Sequence, residues 1–337
     1  MTIKILIDNG KEILTPEIQD NVTIEWERTG MAGRMTFTAI VDKKLVFSEG
    51  NAVTLRVNKK PFFLGYVFTR NQTEPDKVTV TCYDQLRYLK NQESYVFENK
   101  TATEIIRKIA KDFKLSCGKL ADTKYKLETF TKDNTQLFDI INEALKETSI
   151  KKQKKYVLYD EFGKLRLQDE DNMQLKLLVD ESTAQTYSYS SSIDNETYNK
   201  VKIIKEGKDN GSRKSNKEEA EKQRILSRQV HVVQDKKNMG RWGTLQLVEE
   251  IDKDSDSNDR AKKLLKEHNA PKKTLQISGA LGDVRVRAGS QIGVILKSTI
   301  DKKARKLIKL RVENVKHIFS GDLHTMDLTL KGKGFDT

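Results

Sequence analysis

Acidic residues at alternate positions offer the first candidate for metal chemistry in this sequence. Asp252, Asp254 and Asp256 have the one, three, five spacing of the first ligands in a calcium-binding loop. Ser257, however, stands where the sharp turn of such a loop needs glycine, and Lys263 stands where the bidentate glutamate belongs. Because a cation there removes most of the affinity, we interpret the three aspartates as acids near the start of a helix, where they interact favourably with its dipole.

Two of the four histidines, His317 and His324, form a second candidate. If a turn lies at Ser320 and Gly321, the two imidazoles lie opposite each other on a β-hairpin. Two nitrogens fall short of the three or four ligands of a zinc site, and Asp322 would lie in the turn. We therefore expect a structural histidine pair and no metal site.

Signatures of catalysis are otherwise missing from the sequence. His231 and His268 lie in unrelated settings, which leaves few bases for a serine or cysteine triad. We find neither a nucleophile elbow nor a phosphate-binding glycine loop, and the sequence does not distinguish carboxylate pairs such as Asp169 and Asp171 from surface acids. The sequence predicts no catalytic residue and no cofactor, so we do not expect an enzyme, although two well-placed acids for glycoside hydrolysis stay open.

The elements that would position these residues begin with an N-terminal β unit. Apolar and polar positions alternate in short bursts, as at Val22, Ile24 and Trp26, and turn residues separate the bursts. Alternation with a period of two predicts antiparallel strands with one wet face. We expect residues 1–94 to form a small β-barrel or sandwich.

A helical pattern replaces the alternation in the next segment. Thr101 and Glu104 have the spacing of a capping box, and apolar residues follow at helical intervals. A second amphipathic helix is predicted after a cap near Asp133 or Asn134. Residues 95–175 therefore read as one α+β insert.

Strand patterns return in residues 176–337, which are expected to form a second β domain. A polar segment at 206–224 interrupts them, and it cannot bury enough apolar surface to offset its ordering entropy, which predicts a solvated loop or flap. A helix is predicted at about 256–268. The predicted fold class is α+β, with two antiparallel β domains and an α+β insert between them.

Composition limits the partners and the compartment. The 337 residues include 62 basic and 49 acidic side chains, and the net charge of +13 attracts polyanions or solubilises the surface. Aromatic residues make up only 7% and none is interleaved with the basic runs, so specific nucleic-acid binding is not expected.

The only cysteines are Cys82 and Cys117, which fits folding in a reducing compartment. No run suits a signal peptide or a membrane span, so we expect synthesis in the host cytoplasm.

Short segments spread along nearly the whole chain carry a family pattern. They are Val22-Thr-Ile-Glu-Trp26, Gly65-Tyr-Val-Phe68, VTVTCYDQLRYLKN from Val78 to Asn91 with TATEII behind it, Tyr198-Asn-Lys-Val201, Gly240-Arg-Trp-Gly243, the stretch from Gly282-Asp283 to Arg287-Ala-Gly-Ser290, and Val315-x-His317 leading to His324-Thr-Met326. In this order and spacing they resemble the baseplate hub proteins of contractile phage tails and tail-derived bacteriocins. The branch is the one, similar to late-control protein D, that occurs on prophages of Gram-positive bacteria.

The resemblance implies a structural hub. Three chains would form a homotrimeric ring of pseudo-sixfold symmetry under a hexameric tail tube, each supplying two tube-like β domains. The implied partners are the tail tube protein, the tail spike, and the baseplate wedge and tape-measure proteins, in the baseplate of a virion or a tail-like particle. It also implies structural roles for Trp26, Asp84, Gly240, Trp242, Gly243, Gly282, Asp283, Gly289, His317, His324 and Met326.

Two other functions stay open at the level of sequence. Some hub polypeptides carry lytic domains, so the chain could be a cell-wall-degrading enzyme of the tail tip, which would release muropeptides from purified peptidoglycan. The basic surface could instead bind nucleic acid, and DNA retention would then fall steeply with salt because phosphate neutralisation releases counterions.

Overall fold

The structure, a computed structural model, describes residues 1–41, 44–205, 228–251, 257–296 and 306–332. It contains two compact units, one of Met1–Tyr189 with Thr274–Thr337 and one of Ser190–Lys273. The predicted flap at 206–224 and the acidic run at 252–256 lie outside the described residues. Within the described ranges, no helix is both long and apolar enough to cross a membrane.

The first unit is built on a 13-stranded sheet. With strands numbered in chain order, its members are β1 (Ile3–Asp8), β2 (Ile13–Leu14), β3 (Ile18–Glu27), β4 (Arg34–Ile40), β5 (Ala52–Val57), β6 (Lys60–Glu74), β7 (Lys77–Tyr83), β13 (Gln174–Val179), β14 (Thr186–Ser192), β18 (Lys272–Leu281), β19 (Gln291–Leu296), β20 (Lys306–Ser320) and β21 (Leu323–Lys331). The path runs β14-β18-β21-β20-β3-β4-β7-β6-β5-β1-β2, and β19 joins β13 to β20. Antiparallel pairing of β3 with β20 therefore connects the N-terminal strands to the C-terminal ones.

The alternating sequence explains why these strands share one core. Along β4 and β7, buried residues alternate with half-exposed ones, as period-two patterning requires. The buried face joins side chains from both ends of the chain, including Phe37 of β4 and Phe319 of β20, in one hydrophobic cluster. A β-rich α+β fold with mostly antiparallel strands is thus confirmed. The arrangement as two tube-like barrels, and the domain boundaries at 94 and 175, stay predictions.

The α+β insert packs two helices against two small sheets. Its elements are β8 (Gln92–Thr101), α1 (Ala102–Asp112), β9 (Cys117–Leu120), β10 (Lys126–Gln136), α2 (Leu137–Lys152), β11 (Tyr156–Asp160) and β12 (Leu165–Asp169). One sheet pairs β8 with β10, and the other has the order β11-β12-β9. The apolar faces of both helices fill a second core cluster.

Of the two helix starts predicted for the insert, the first is confirmed and the second is wrong. The capping box is confirmed, since Thr101 accepts a hydrogen bond from the Glu104 amide and the Glu104 carboxylate accepts one from the Thr101 amide. The cap predicted near Asp133 or Asn134 is wrong, because β10 continues to Gln136 through an irregular register there. Helix α2 therefore begins at Leu137 without a side-chain cap.

The second unit is a three-stranded sheet with two helices. Its elements are β15 (Lys200–Lys205), β16 (Gln229–Gln234), α3 (Lys236–Trp242), β17 (Gln246–Ile251) and α4 (Ser257–His268). The strand order is β16-β15-β17, with β17 parallel to β15. Helix α4 confirms the helix predicted at about 256–268, and its Ala261 and Leu264 pack with Val201 and Ile203 in a small core.

Candidate functional site

The two histidines singled out in the sequence form a buried pair on β20 and β21. The turn lies at Gly321 and Asp322, so the expectation of a Ser320-Gly321 turn is wrong by one residue on each strand. His317 is therefore opposite Met326, and His324 is opposite Phe319. The imidazoles are diagonal neighbours on one face and still meet, with 2.9 Å between His317 Nδ1 and His324 Nε2.

The hydrogen bonds of the pair fix its tautomers. His317 Nε2 lies 3.0 Å from the carbonyl oxygen of Val286, which can only accept, so this nitrogen carries a proton. In the neutral ring Nδ1 of His317 must then accept, and His324 Nε2 donates to it. This arrangement requires His317 to be uncharged.

Aromatic rings enclose the histidine pair. Trp26 and Phe62 meet His317 edge-on with ring centroids 5.3 and 5.2 Å away, and Phe319 stacks on His324 at 4.3 Å. His317 is 0% exposed and His324 is 8% exposed. The backbone of Gly282 closes the remaining side, because its amide donates to the His324 carbonyl oxygen and a Cβ there would overlap the imidazole.

Burial sets the charge state of this pair. It lowers the pKa of His317 to about 3, with a further contribution from the neighbouring His324, and it lowers the pKa of His324 to about 4. Both rings are therefore neutral at physiological pH, and the hydrogen bonds of His317 require this of His317.

Acid should destabilise the fold through this pair. Because the folded-state pKa values lie below the ordinary 6.5, the stabilisation is complete above about pH 6.5 and is lost as pH falls towards the folded values. The loss is roughly 1.4 kcal/mol per pH unit for each histidine that is protonated in the unfolded state and neutral in the folded state. We expect His317→Gln, whose amide can replace both hydrogen bonds without titrating, to show a shallower loss in urea unfolding between pH 6.5 and 4.5.

The wild type is compared with His317→Gln because nearby carboxyl groups change the free energy of unfolding with pH in the opposite direction. Burial, and then the charge of Asp160, raise the pKa of Asp84, and burial raises the pKa of Asp160. Such groups bind protons more tightly when folded, so they favour the folded state as pH falls. Equal pH slopes in the wild type and His317→Gln would contradict the assignment to the histidines.

Asp84, which follows β7, is hydrogen-bonded to the loop that follows β3. Its carboxylate accepts hydrogen bonds from the amides of Gly33, at 2.9 Å, and Leu86, at 3.0 Å. The Asp84 carboxylate and the Trp26 ring leave no room for a Cβ at Gly33. Asp84 therefore acts as a buried cap that holds the loop against Trp26.

Arg287 connects this region to the insert. Its guanidinium lies 5.0 Å from the Trp26 ring centroid and 4.1 Å from that of Tyr159, and Nη2 donates to the carbonyl oxygen of Asp160 at 3.0 Å. The Asp160 carboxylate in turn accepts hydrogen bonds from the Gln85 side chain and the Gly163 amide. We call the set of His317, His324, Trp26, Asp84, Asp160 and Arg287 the polar seam.

The other predicted residues of the first unit border this seam. Asp283 donates its amide hydrogen to the sulfur of buried Met326, and its carboxylate binds Arg285. Gly289 has a φ of +93°, and a Cβ there would press on Val157 of the insert. Eight of the eleven predicted residues thus lie in or beside one region.

The remaining three predicted residues lie in the second unit. Gly240 and Trp242 belong to α3, none of whose residues is buried, and Gly243 ends the helix with a φ of +76°. Trp242 is half-exposed, and the Arg241 guanidinium lies 5.8 Å from its ring centroid. The structural roles of these three residues stay predictions.

Four charged residues that the sequence did not single out form a closed ring of ion pairs. Arg28 contacts Glu170 and Glu313, both at 2.9 Å, and Arg311 contacts the same two carboxylates at 3.0 and 2.6 Å. Burial alone would raise the pKa of Glu313, but the two arginines outweigh it and hold that pKa below its ordinary value. No local spacing reveals this ring, because Arg28, Glu170 and Arg311 are far apart in the sequence.

The chemistry of the seam is that of structural contacts. In the described part of the chain, no group of three or more His, Cys, Asp or Glu side chains is placed to hold a metal ion. The buried acids accept hydrogen bonds from backbone amides or side chains, and the histidines bond each other. The arrangement links the N-terminal strands, the insert and the C-terminal hairpin.

Comparison with known proteins agrees with this architecture. Residues 22–331 match the YQBQ-like family. The phage-like element PBSX protein XkdQ of Bacillus subtilis (strain 168) is 31% identical over 329 residues, which cover 94% of this chain and 93% of XkdQ. The chain belongs to the YQBQ-like family. The sequence resemblance to phage-tail baseplate proteins is thereby confirmed at the level of the family.

Solved structures support the fold of this YQBQ-like protein over its whole length. The 43 kDa tail protein of prophage MuSo2 from Shewanella oneidensis superposes with a TM-score of 0.66 at 13% identity, covering 97% of this chain and 98% of that one. The Escherichia coli c3393 protein, a type VI secretion component described as similar to T4 tail proteins gp27 and gp5, gives 0.55 at 12% identity, covering 98% and 76%. At such identities the likeness concerns the fold alone.

Proposed function

We propose that the protein is a structural, non-enzymatic component of the baseplate of a phage tail or tail-like particle. The observation that carries the proposal is the full-length relation to XkdQ, a protein of a phage-like element, on a fold that a prophage tail protein shares. The polar seam adds a physical argument, because its buried groups are bonded to one another and to the backbone.

Within the baseplate, we assign the protein the role of the hub. Three copies form a ring of pseudo-sixfold symmetry that joins the tail tube to the spike, with wedge and tape-measure proteins as neighbours. The long sheet of the first unit supports this role, because a strand at a sheet end presents backbone groups that a neighbouring copy can pair.

The hub role predicts the mass of the purified protein. We expect mass photometry to show a species of three 38.7 kDa chains, and addition of the spike partner to raise its share. The ring closes the sheet ends, so the trimer should persist on dilution better than an open dimer. A strict monomer with and without the spike would contradict the hub role, and release of muropeptides from purified peptidoglycan would favour the enzyme.

A further inference from the structure

The small sheet of the second unit has one covered face and one exposed face. Helix α4 packs against β15 and β16, and its Ala261 and Leu264 share a core with Val201, Ile203 and Ile251. Successive side chains of a strand point to opposite faces of a sheet. The residues at the positions between these core residues therefore lie on the other face.

This other face is a grid of nine residues, three from each strand. The register sets three rows, which are Val230, Ile204 and Glu250; Val232, Lys202 and Val248; and Gln234, Lys200 and Gln246. Val230, Val232 and Val248 are 50%, 47% and 47% exposed. We call these nine residues the open face.

Valine is an unusual choice for a sheet face that ends in water. The half-exposed face of β4 in the first unit carries Arg34, Thr36 and Thr38 at the corresponding alternate positions. In addition, β15 and β17 are parallel, and parallel strands normally have packed layers on both of their faces. A contiguous apolar patch on such a face is typical of a surface that another element covers.

The charges of the open face indicate the chemistry of the covering element. Lys200 and Lys202 lie on the central strand β15, and neither forms an ion pair with another described residue. Glu250, the acid of this face, lies at a corner of the grid and pairs with Arg228 at 3.6 Å. A complementary surface therefore has carboxylates along its middle and apolar side chains beside them.

The size of the open face suits a single helix. Strands lie about 4.8 Å apart, so the two outer strands are about 10 Å apart, which is close to the diameter of an α-helix. From Lys200 to Ile204 the face is about 13 Å long at about 3.3 Å per residue, and about nine helical residues cover that length.

We propose that the open face binds an amphipathic helix of a partner protein. Its aspartate or glutamate side chains meet Lys200 and Lys202, and its apolar side chains pack on Val230, Val232 and Val248. The bound helix gives the sheet a layer on each face. A second copy of this chain fits less well, because two facing sheets bring the lysines of both central strands together. The proposal does not depend on the ring.

Fluorescence anisotropy with designed helical peptides tests the proposal on the full-length chain. Each peptide has about twelve residues with leucines on one side, and the positions between the leucines hold glutamates in one peptide and lysines in the other. We expect saturable binding of the glutamate peptide. Val232→Gln or Lys202→Glu should weaken it by roughly tenfold, and Lys202→Glu should tighten binding of the lysine peptide by a similar factor.

Two matched variants control for general effects of charge and polarity. Lys262→Glu makes the same charge change at an exposed position of α4, and Val96→Gln makes the same apolar-to-polar change on β8, where Val96 is 65% exposed. Both should keep the affinity within about twofold of the wild type, and urea midpoints show that all variants fold. Equal weakening by a test variant and its control would overturn the proposal.

The remaining outcomes identify other occupants of the open face. A third peptide keeps the glutamates and replaces the leucines by serines, and equal binding of this peptide would reduce the face to a charged surface. In a Cys117→Ser background, which removes the exposed thiol, covalent dimers from Val232→Cys but not from Val96→Cys would show that a second copy covers it. Either result, or absence of saturable binding by the glutamate peptide, would overturn the proposal.

Discussion

Replacing Glu170 by alanine is expected to destabilise the fold by about 1.5–3 kcal/mol, because two hydrogen bonds between charged groups are lost. Glu170 is one of the two carboxylates in the ring of ion pairs, and its side chain is only 6% exposed. Its removal leaves Arg28 and Arg311 with a single shared partner, Glu313, in a partly buried setting. One excess positive charge then remains in this partly buried setting, which costs more than the loss of an exposed ion pair.

Urea unfolding of Glu170→Ala beside a matched glutamate variant measures this effect. Glu143 pairs with Lys132 on the surface of α2 and is 45% exposed, so Glu143→Ala should change the free energy of unfolding by less than about 1 kcal/mol. Similar midpoints for the two variants would contradict a stabilising role for the ion-pair ring.

Gly282→Ala is expected to have an effect of similar size, by roughly 3 kcal/mol or more. A Cβ at this position would overlap the imidazole of His324, which Phe319 stacks against from another side. The ring has no room to retreat without breaking its hydrogen bond to His317. The backbone conformation itself carries no strain, so the whole effect comes from the close approach.

Two further variants isolate the cause of the Gly282→Ala effect. Gly240→Ala adds a Cβ that meets no atom within 4 Å, in a helix where alanine is preferred over glycine by about 1 kcal/mol. It should be neutral or stabilising.

In the double variant Gly282→Ala with His324→Ala, the overlap disappears. The sum of the stability losses of the two single variants should therefore clearly exceed the loss measured for the double variant. Strict additivity would argue against the overlap.

These contacts join distant segments of the first unit. The ion-pair ring connects the residue after β3, the end of the insert and β20, and Arg287 connects Trp26 to Tyr159. The ring proposed above would need sheet edges held in fixed positions, and the polar seam and the ion pairs link the segments that carry those edges.

Local patterns in the sequence predicted local structure well. The capping box at Thr101 and Glu104 and the helix after residue 256 depend on spacing within one turn or face, and both are confirmed. The histidine pair was found because both residues lie on one hairpin, although the turn was misplaced by one residue. A shift of one residue per strand changes opposite pairing into diagonal pairing and keeps the shared face.

Long-range contacts could not be predicted from the sequence. The pairing of β3 with β20 joins residues nearly 300 positions apart, and so does the ion pair of Arg28 with Glu313. Asp160 and Arg287 carry no local signature, because their partners come from different elements. Family resemblance located Trp26, Asp84 and Gly282, but only the structure shows that they surround one buried cluster.

Electron microscopy of the purified chain with its spike partner would show whether three copies close into one annulus through the sheets of their first units. We expect particle averages with a central opening, threefold symmetry and six similar lobes. Isolated single chains, or compact twofold dimers without an opening, would contradict it.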